Sequence, residues 1–176
     1  MNNTANLISL FVILLVSLLL QVVVIDNIDF LGPCNPFLYI VFIMAVPFGC
    51  SQISLMLMAA AVGFVVDMVS DTPGMHMASC VLIAFVRQYV LRLLAFRSAY
   101  KDDDMPGAST CGSLWFFKYT LIMVSVHHVA LFLIEQFDSF YLWPTLLRIV
   151  LSIVASSALI VFFDMARPRS AGSLAD

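Results

Sequence analysis

An all-α membrane protein of six transmembrane helices is the fold this sequence predicts, and three observations carry it. Of its 176 residues, 62% are hydrophobic and only 11% charged, with a mean hydropathy of +1.05. Soluble domains run near half apolar and about a quarter charged, so a soluble chain of this makeup would expose much of its apolar surface to water. The apolar residues also gather in runs close to the roughly 20 residues that one crossing requires. Finally, the basic residues fall on alternate connections only, as the positive-inside rule expects of a multi-pass chain.

The first span is expected at 7–25, ended by the polar, turn-rich stretch 26–36. No basic n-region precedes it and no small-residue cleavage site follows, so it reads as an anchor rather than a signal peptide. The second, 36–48, is short and carries Pro47; the brief link Gly49-Cys50-Ser51 leads into the third, 52–70. Pro73 and Gly74 punctuate the turn after it, Pro fixing φ and Gly permitting the unusual backbone. The fourth span is 75–96, the fifth 115–134 and the sixth 145–165. Short connections leave room for a single domain.

Charge placement decides whether the short second segment crosses. The connections 26–36, 71–74 and 135–144 hold no Lys or Arg, whereas Arg92, Arg97, Lys101 and Lys118 surround the 97–114 loop and Arg167 and Arg169 lie in the tail. Six crossings put all of these basic residues in the cytoplasm with both termini; five would put Arg97 and Lys101 outside.

Function classes narrow in the same way. The net charge is −3 and the eight Lys and Arg are scattered, which excludes a nucleic-acid footprint. Cys34, Cys50, Cys80 and Cys111 show no metal-ligand spacing, and Cys34 falls outside while Cys50 and Cys111 fall inside, so they read as small apolar packers. No Walker loop, HExxH, GxSxG or CxxC is present, so neither an enzyme nor a cofactor is expected.

The informative residues are the ionisable ones inside spans: Asp67, Arg87, His127, His128, Arg148 and Asp164. Such a group costs about 2.5–3.5 kcal/mol at the bilayer centre and normally turns inward to a partner. At about 1.5 Å per residue, Asp67 and Arg148 each lie about 6 Å inside the outer ends of their helices, so an ion pair between the third and sixth spans is expected. His76, Cys80, Ile83 and Arg87 share one face, which should turn inward. Arg87, about 16 Å deep, has Asp67, His127, His128 or backbone carbonyls as candidate partners. Asp164 is expected to meet Arg92 or Lys118. Of the neighbours His127 and His128, about 100° apart around a helix, one is expected to face the core and the other a neighbouring helix or a partner protein, and they make no metal site. The small-residue rows Ala59, Gly63, Asp67 and Arg148, Ser152, Ser156 mark faces where helices approach closely. Phe37–Tyr39, Trp115–Phe117 and Phe140–Trp143 are expected in an aromatic belt at the interfaces.

Gly63 and Asp67 four residues apart, then Pro73 and Gly74 in the turn and His76 opening the next helix, resemble the signature of the MreD family of rod-shape-determining proteins. Gln21 closing the first span, and Asn35, Pro36, Phe37, Leu38 and Tyr39 opening the second, resemble it too. The resemblance covers roughly residues 1–96. It implies a non-enzymatic subunit of the cell-elongation machinery in the bacterial inner membrane. The partners it implies are a single-span MreC-like protein and, through it, the actin-like MreB and the RodA/penicillin-binding-protein synthase. It also implies a compact six-helix fold similar to the substrate-binding subunits of ECF-type vitamin transporters. A pocket lined by the Arg87/His76 face, for a small molecule or lipid, is the competing expectation.

Overall fold

A computed structural model describes residues 3–25, 27, 34–94, 101–136 and 142–167. Among these every regular element is helical: α1 (Asn3–Leu20, continued by a π-helical turn Gln21–Ile25), α2 (Ile40–Ala45), α3 (Gln52–Ser70), α4 (Met75–Leu93), α5 (Ala108–Cys111), α6 (Ser113–Glu135) and α7 (Leu142–Ala166). Four helical stretches, Thr4–Ile25, Gln52–Ser70, Ser113–Glu135 and Trp143–Ala166, are long and apolar enough to cross a membrane. α4 is as long as α3 but carries His76, Arg87, Gln88 and Arg92 and falls short of that apolarity. The surface inverts the soluble pattern, with Phe11, Leu57, Phe64, Leu114, Trp143 and Phe162 all more than half exposed.

Helix ends follow local chemistry. Ser51 caps α3, its hydroxyl accepting from the Ser54 amide at 3.2 Å. α3 ends on Asp71 in the left-handed region (φ 53°), and Gly74 (φ 81°) turns the chain into α4. α3 packs along α4, α4 along α6 and α6 along α7. Gly63 sets the first of these contacts. A Cβ there would lie 2.4 Å from Met77 Cα and 2.8 Å from the His76 carbonyl oxygen, so only hydrogen fits between the two backbones.

The expected second helix, 36–48, is mostly not a helix. Residues 34–38 have no regular secondary structure, only Ile40–Ala45 are α-helical, and Pro47 holds Val46 extended (ψ 137°). Everything from Phe37 through Val46 is buried, so Phe37 and Tyr39 belong to the core and not to an interfacial belt. Trp143 is exposed; Phe140 and Tyr141 lie outside the described residues.

A non-helical stretch inside an apolar bundle must bond its backbone to something. The Asn35 amide donates to Ser152 Oγ at 2.9 Å and the Phe37 amide to Ser156 Oγ at 2.8 Å. Between them Pro36 has no N–H, and its carbonyl accepts from Gln21 Nε2 at 3.2 Å. The Leu38 amide donates to Gln21 Oε1 at 2.7 Å. The Ser152/Ser156 row therefore receives a non-helical segment instead of another helix. At the far end of the segment, the Phe48 and Gly49 amides donate to the carbonyls of Asp104 (3.1 Å) and Asp102 (2.8 Å). Asn6 of α1 reaches the same loop, donating to the Asp103 carbonyl at 2.8 Å.

Candidate functional site

Each intramembrane polar residue has a definite place. Asp67 does not meet Arg148. Its Oδ1 accepts from the His76 amide and its Oδ2 from the Met77 amide, both at 2.9 Å, and Thr72 Oγ1 donates to Oδ1 at 2.6 Å. Gly74 offers α4 no side-chain cap, so a carboxylate from α3 performs that task. The positive end of a helix dipole satisfies an anion as a cation would. Arg148 instead pairs with Glu135 at 2.8 Å and stacks over the Phe132 ring at 4.6 Å; with the Asn35 amide turned so that its oxygen faces the guanidinium, Nη2 donates to that oxygen at 2.6 Å. Truncating Asp67 and Arg148 together should therefore cost the sum of the single losses within about 0.5 kcal/mol. Thermal unfolding of the two single variants and the double variant reads this, and a coupling above about 1 kcal/mol would restore the direct pair.

Asp164 likewise meets neither Arg92 nor Lys118. Arg167, one turn on, donates to Oδ1, and the Ala108 amide at the start of α5 donates to Oδ2 at 2.8 Å. The nearer guanidinium and the unpaired amide at a helix start take both oxygens. This ties the end of α7 to the segment preceding α6.

Arg87 is 3% exposed on the inward face it shares with His76, Cys80 and Ile83, all buried. Its partners are carbonyls and a phenol. Nη2 donates to the Val46 carbonyl and, at 3.5 Å, to that of Met44, while Nε donates to Tyr119 Oη at 2.9 Å. Tyr119 in turn donates to the Met44 carbonyl at 3.3 Å. α2 stops in the middle of the bundle, leaving its last carbonyls without helical partners, and a cation at that negative end supplies them.

Both His127 and His128 are fully buried, His127 against Tyr39 in the core and His128 against Ser156 of the neighbouring α7. α6 is enclosed on two sides, so directions 100° apart both meet protein. His128 Nδ1 lies 2.9 Å from the Val124 carbonyl, which can only accept, so Nδ1 carries the proton. Nε2 then accepts from the Ser156 hydroxyl at 3.1 Å, leaving that oxygen to receive the Phe37 amide. His127 Nε2 and His76 Nδ1 lie 2.9 and 2.7 Å from the single hydroxyl of Tyr39. One ring donates to that oxygen and the other accepts its proton. Phe37 sits among the three imidazoles at centroid distances of 5.1–5.7 Å. Among the described residues no cluster of His, Cys, Asp or Glu is arranged to hold a metal ion, and all four cysteines are free.

A cavity of about 540 Å³ opens at the bundle end that carries the α3–α4 turn. Its walls come from the π-helical turn, the non-helical segment, the α3–α4 turn and the facing ends of α6 and α7. His76 and Phe37 reach it from the core, and Asn35, Glu135 and Arg148 line it; Arg87 does not. Of the Arg87/His76 face in the competing expectation, only His76 lines this cavity. The cavity-lining role of Glu135 was missed, because its position at the end of an apolar run reads simply as a helix terminus.

Comparison with protein-family models, with curated proteins and with solved structures returns no match to this chain.

Proposed function

We propose that this chain is a non-enzymatic scaffold subunit of the bacterial inner membrane, akin to MreD proteins, that binds a single-span MreC-like partner. Through it the chain would serve MreB and the RodA/penicillin-binding-protein synthase. The observation that carries the reading is the α3–α4 hairpin. Gly63, Asp67, Gly74 and His76 form one closed unit, in which Gly63 admits the Met77 backbone and Asp67 caps α4. Residues that read as a family signature are thus the parts of one packing device, suited to a rigid platform. The other deep polar groups, Arg87 and Asp164, are tied to internal partners, which suits a platform better than a reaction centre.

The same proposal takes six crossings, both termini cytoplasmic and a fold akin to the vitamin-binding subunits of ECF-type transporters. In its support, the segment 34–49 bonds α7 at one end and the 101–104 loop at the other.

Gentle detergent extraction followed by affinity capture should co-purify a single-span protein. Recovery of this chain alone from every mild detergent would overturn the scaffold reading. The cavity at the turn end favours a second reading, a subunit that binds a small molecule or lipid.

A further inference from the structure

We infer that the cavity at the turn end is a binding site for a small zwitterionic group, an anion and an ammonium close together on an apolar body. The inference deepens the second reading and does not depend on the scaffold reading; loss of partner capture leaves it standing. Among the described residues the cavity's charged side chains are one cation and one anion, Arg148 and Glu135, 2.8 Å apart and only 24% and 32% exposed. Among the described residues each has capacity left. Nη1 of Arg148 bonds Glu135 and Nη2 bonds Asn35, so Nε and further N–H groups stay open to an anion. Glu135 uses Oε1 only, leaving Oε2 open to an ammonium.

Neither group has to be ordered on binding. Arg148 is clamped by the Phe132 ring below it and by Asn35 beside it, and Asn35 is itself pinned through its amide to Ser152. A pre-ordered fork loses little entropy when it takes a ligand. Phe37, Leu131 and Met75 give the wall apolar patches, while Asn35, Ser70, Thr72 and the His76 ring make much of the lining polar. A volume of about 540 Å³ falls within the range of small-molecule sites, 300–1,000 Å³. A purely anionic ligand would meet the Glu135 carboxylate and a purely cationic one the Arg148 guanidinium, so a ligand carrying both charges fits best. Such a head is found on a free amino acid or phosphoethanolamine, and on the ethanolamine phospholipids of a membrane.

The full chain, purified in a non-ionic detergent, is titrated with lysophosphatidylethanolamine, with lysophosphatidylglycerol and with soluble phosphoethanolamine, read by native mass spectrometry and thermal shift. Saturable binding of the ethanolamine lysolipid, at least tenfold tighter than its glycerol counterpart, is expected. Binding of soluble phosphoethanolamine as well identifies a head-group site open to free ligand; binding of the lysolipid alone identifies a lipid site. Glu135→Gln and Arg148→Gln should each weaken binding at least tenfold. Ser70→Trp, at an exposed position on the cavity wall, should block binding while leaving the charged pair intact. It keeps the test decisive if a charge variant fails to fold. Absence of saturable binding by either zwitterion, equal binding of the glycerol lysolipid, or undiminished binding by Ser70→Trp overturns the assignment.

Discussion

Gly63→Ala will lower the stability of the bundle sharply, although alanine is the better helix former. The propensity gain is about 1 kcal/mol. Against it, the new methyl would sit 2.4 Å from Met77 Cα and 2.7 Å from the Met77 amide nitrogen. These are backbone atoms of a neighbouring helix, and no rotamer change removes them. α3 and α4 must move apart, and the Asp67 caps on the His76 and Met77 amides lengthen with them. Overpacking of this kind costs about 1–3 kcal/mol, and here it draws a buried carboxylate away from its donors as well. A net loss of about 2–3 kcal/mol is expected, measured as the thermal midpoint in detergent and as steady-state abundance in the membrane. Ala61→Leu adds more atoms to an exposed position of the same helix and should stay within about 0.5 kcal/mol of the parent. Equal behaviour of the two variants would mean that α3 and α4 do not touch at Gly63.

What the sequence revealed about this hairpin, and what it hid, follow from how local each determinant is. The span expected at 52–70 coincides with α3 because Ser51, Asp71 and Gly74 carry its limits in their own backbone preferences. The inward face of α4 was legible for the same reason, since His76, Cys80, Ile83 and Arg87 repeat with the helical period. Partners were not legible. Asp67 was expected to need a cation, but the amino end of α4 is already the positive group that a buried carboxylate requires. The second segment was hidden most completely. Its non-helical course is stabilised by Ser152 and Ser156, more than a hundred residues away, and by Gln21, and nothing within 34–48 announces them. A short apolar run containing Pro47 was the available signal; the missing step was to ask which side chains elsewhere would bond its amides.

Arg87→Ala should be the most damaging change among the charged residues, and the pattern across substitutions tells what the guanidinium does. It supplies the last carbonyls of α2, on Met44 and Val46, and it holds the Tyr119 hydroxyl. Removing it leaves the Val46 carbonyl buried without that donor, and each buried polar group so orphaned costs about 1–3 kcal/mol. The expected loss for Arg87→Ala is about 2–5 kcal/mol, including the space left behind. Arg87→Lys keeps the charge but not the fork: one ammonium on a thinner stem cannot hold Tyr119 and both carbonyls together, so most of the loss should remain. Tyr119→Phe removes one acceptor for Nε and one donor to the Met44 carbonyl, while Nη2 still reaches both carbonyls, and should cost about 1–2 kcal/mol. Arg148→Gln, which breaks a partly exposed pair, should fall below about 1 kcal/mol. The order Arg87→Ala, Arg87→Lys, Tyr119→Phe, Arg148→Gln in thermal midpoint is what a cap on a broken helix requires. If Arg87→Lys kept full stability, charge alone would suffice at that position, and a guanidinium fork closing α2 would be the wrong description of the core.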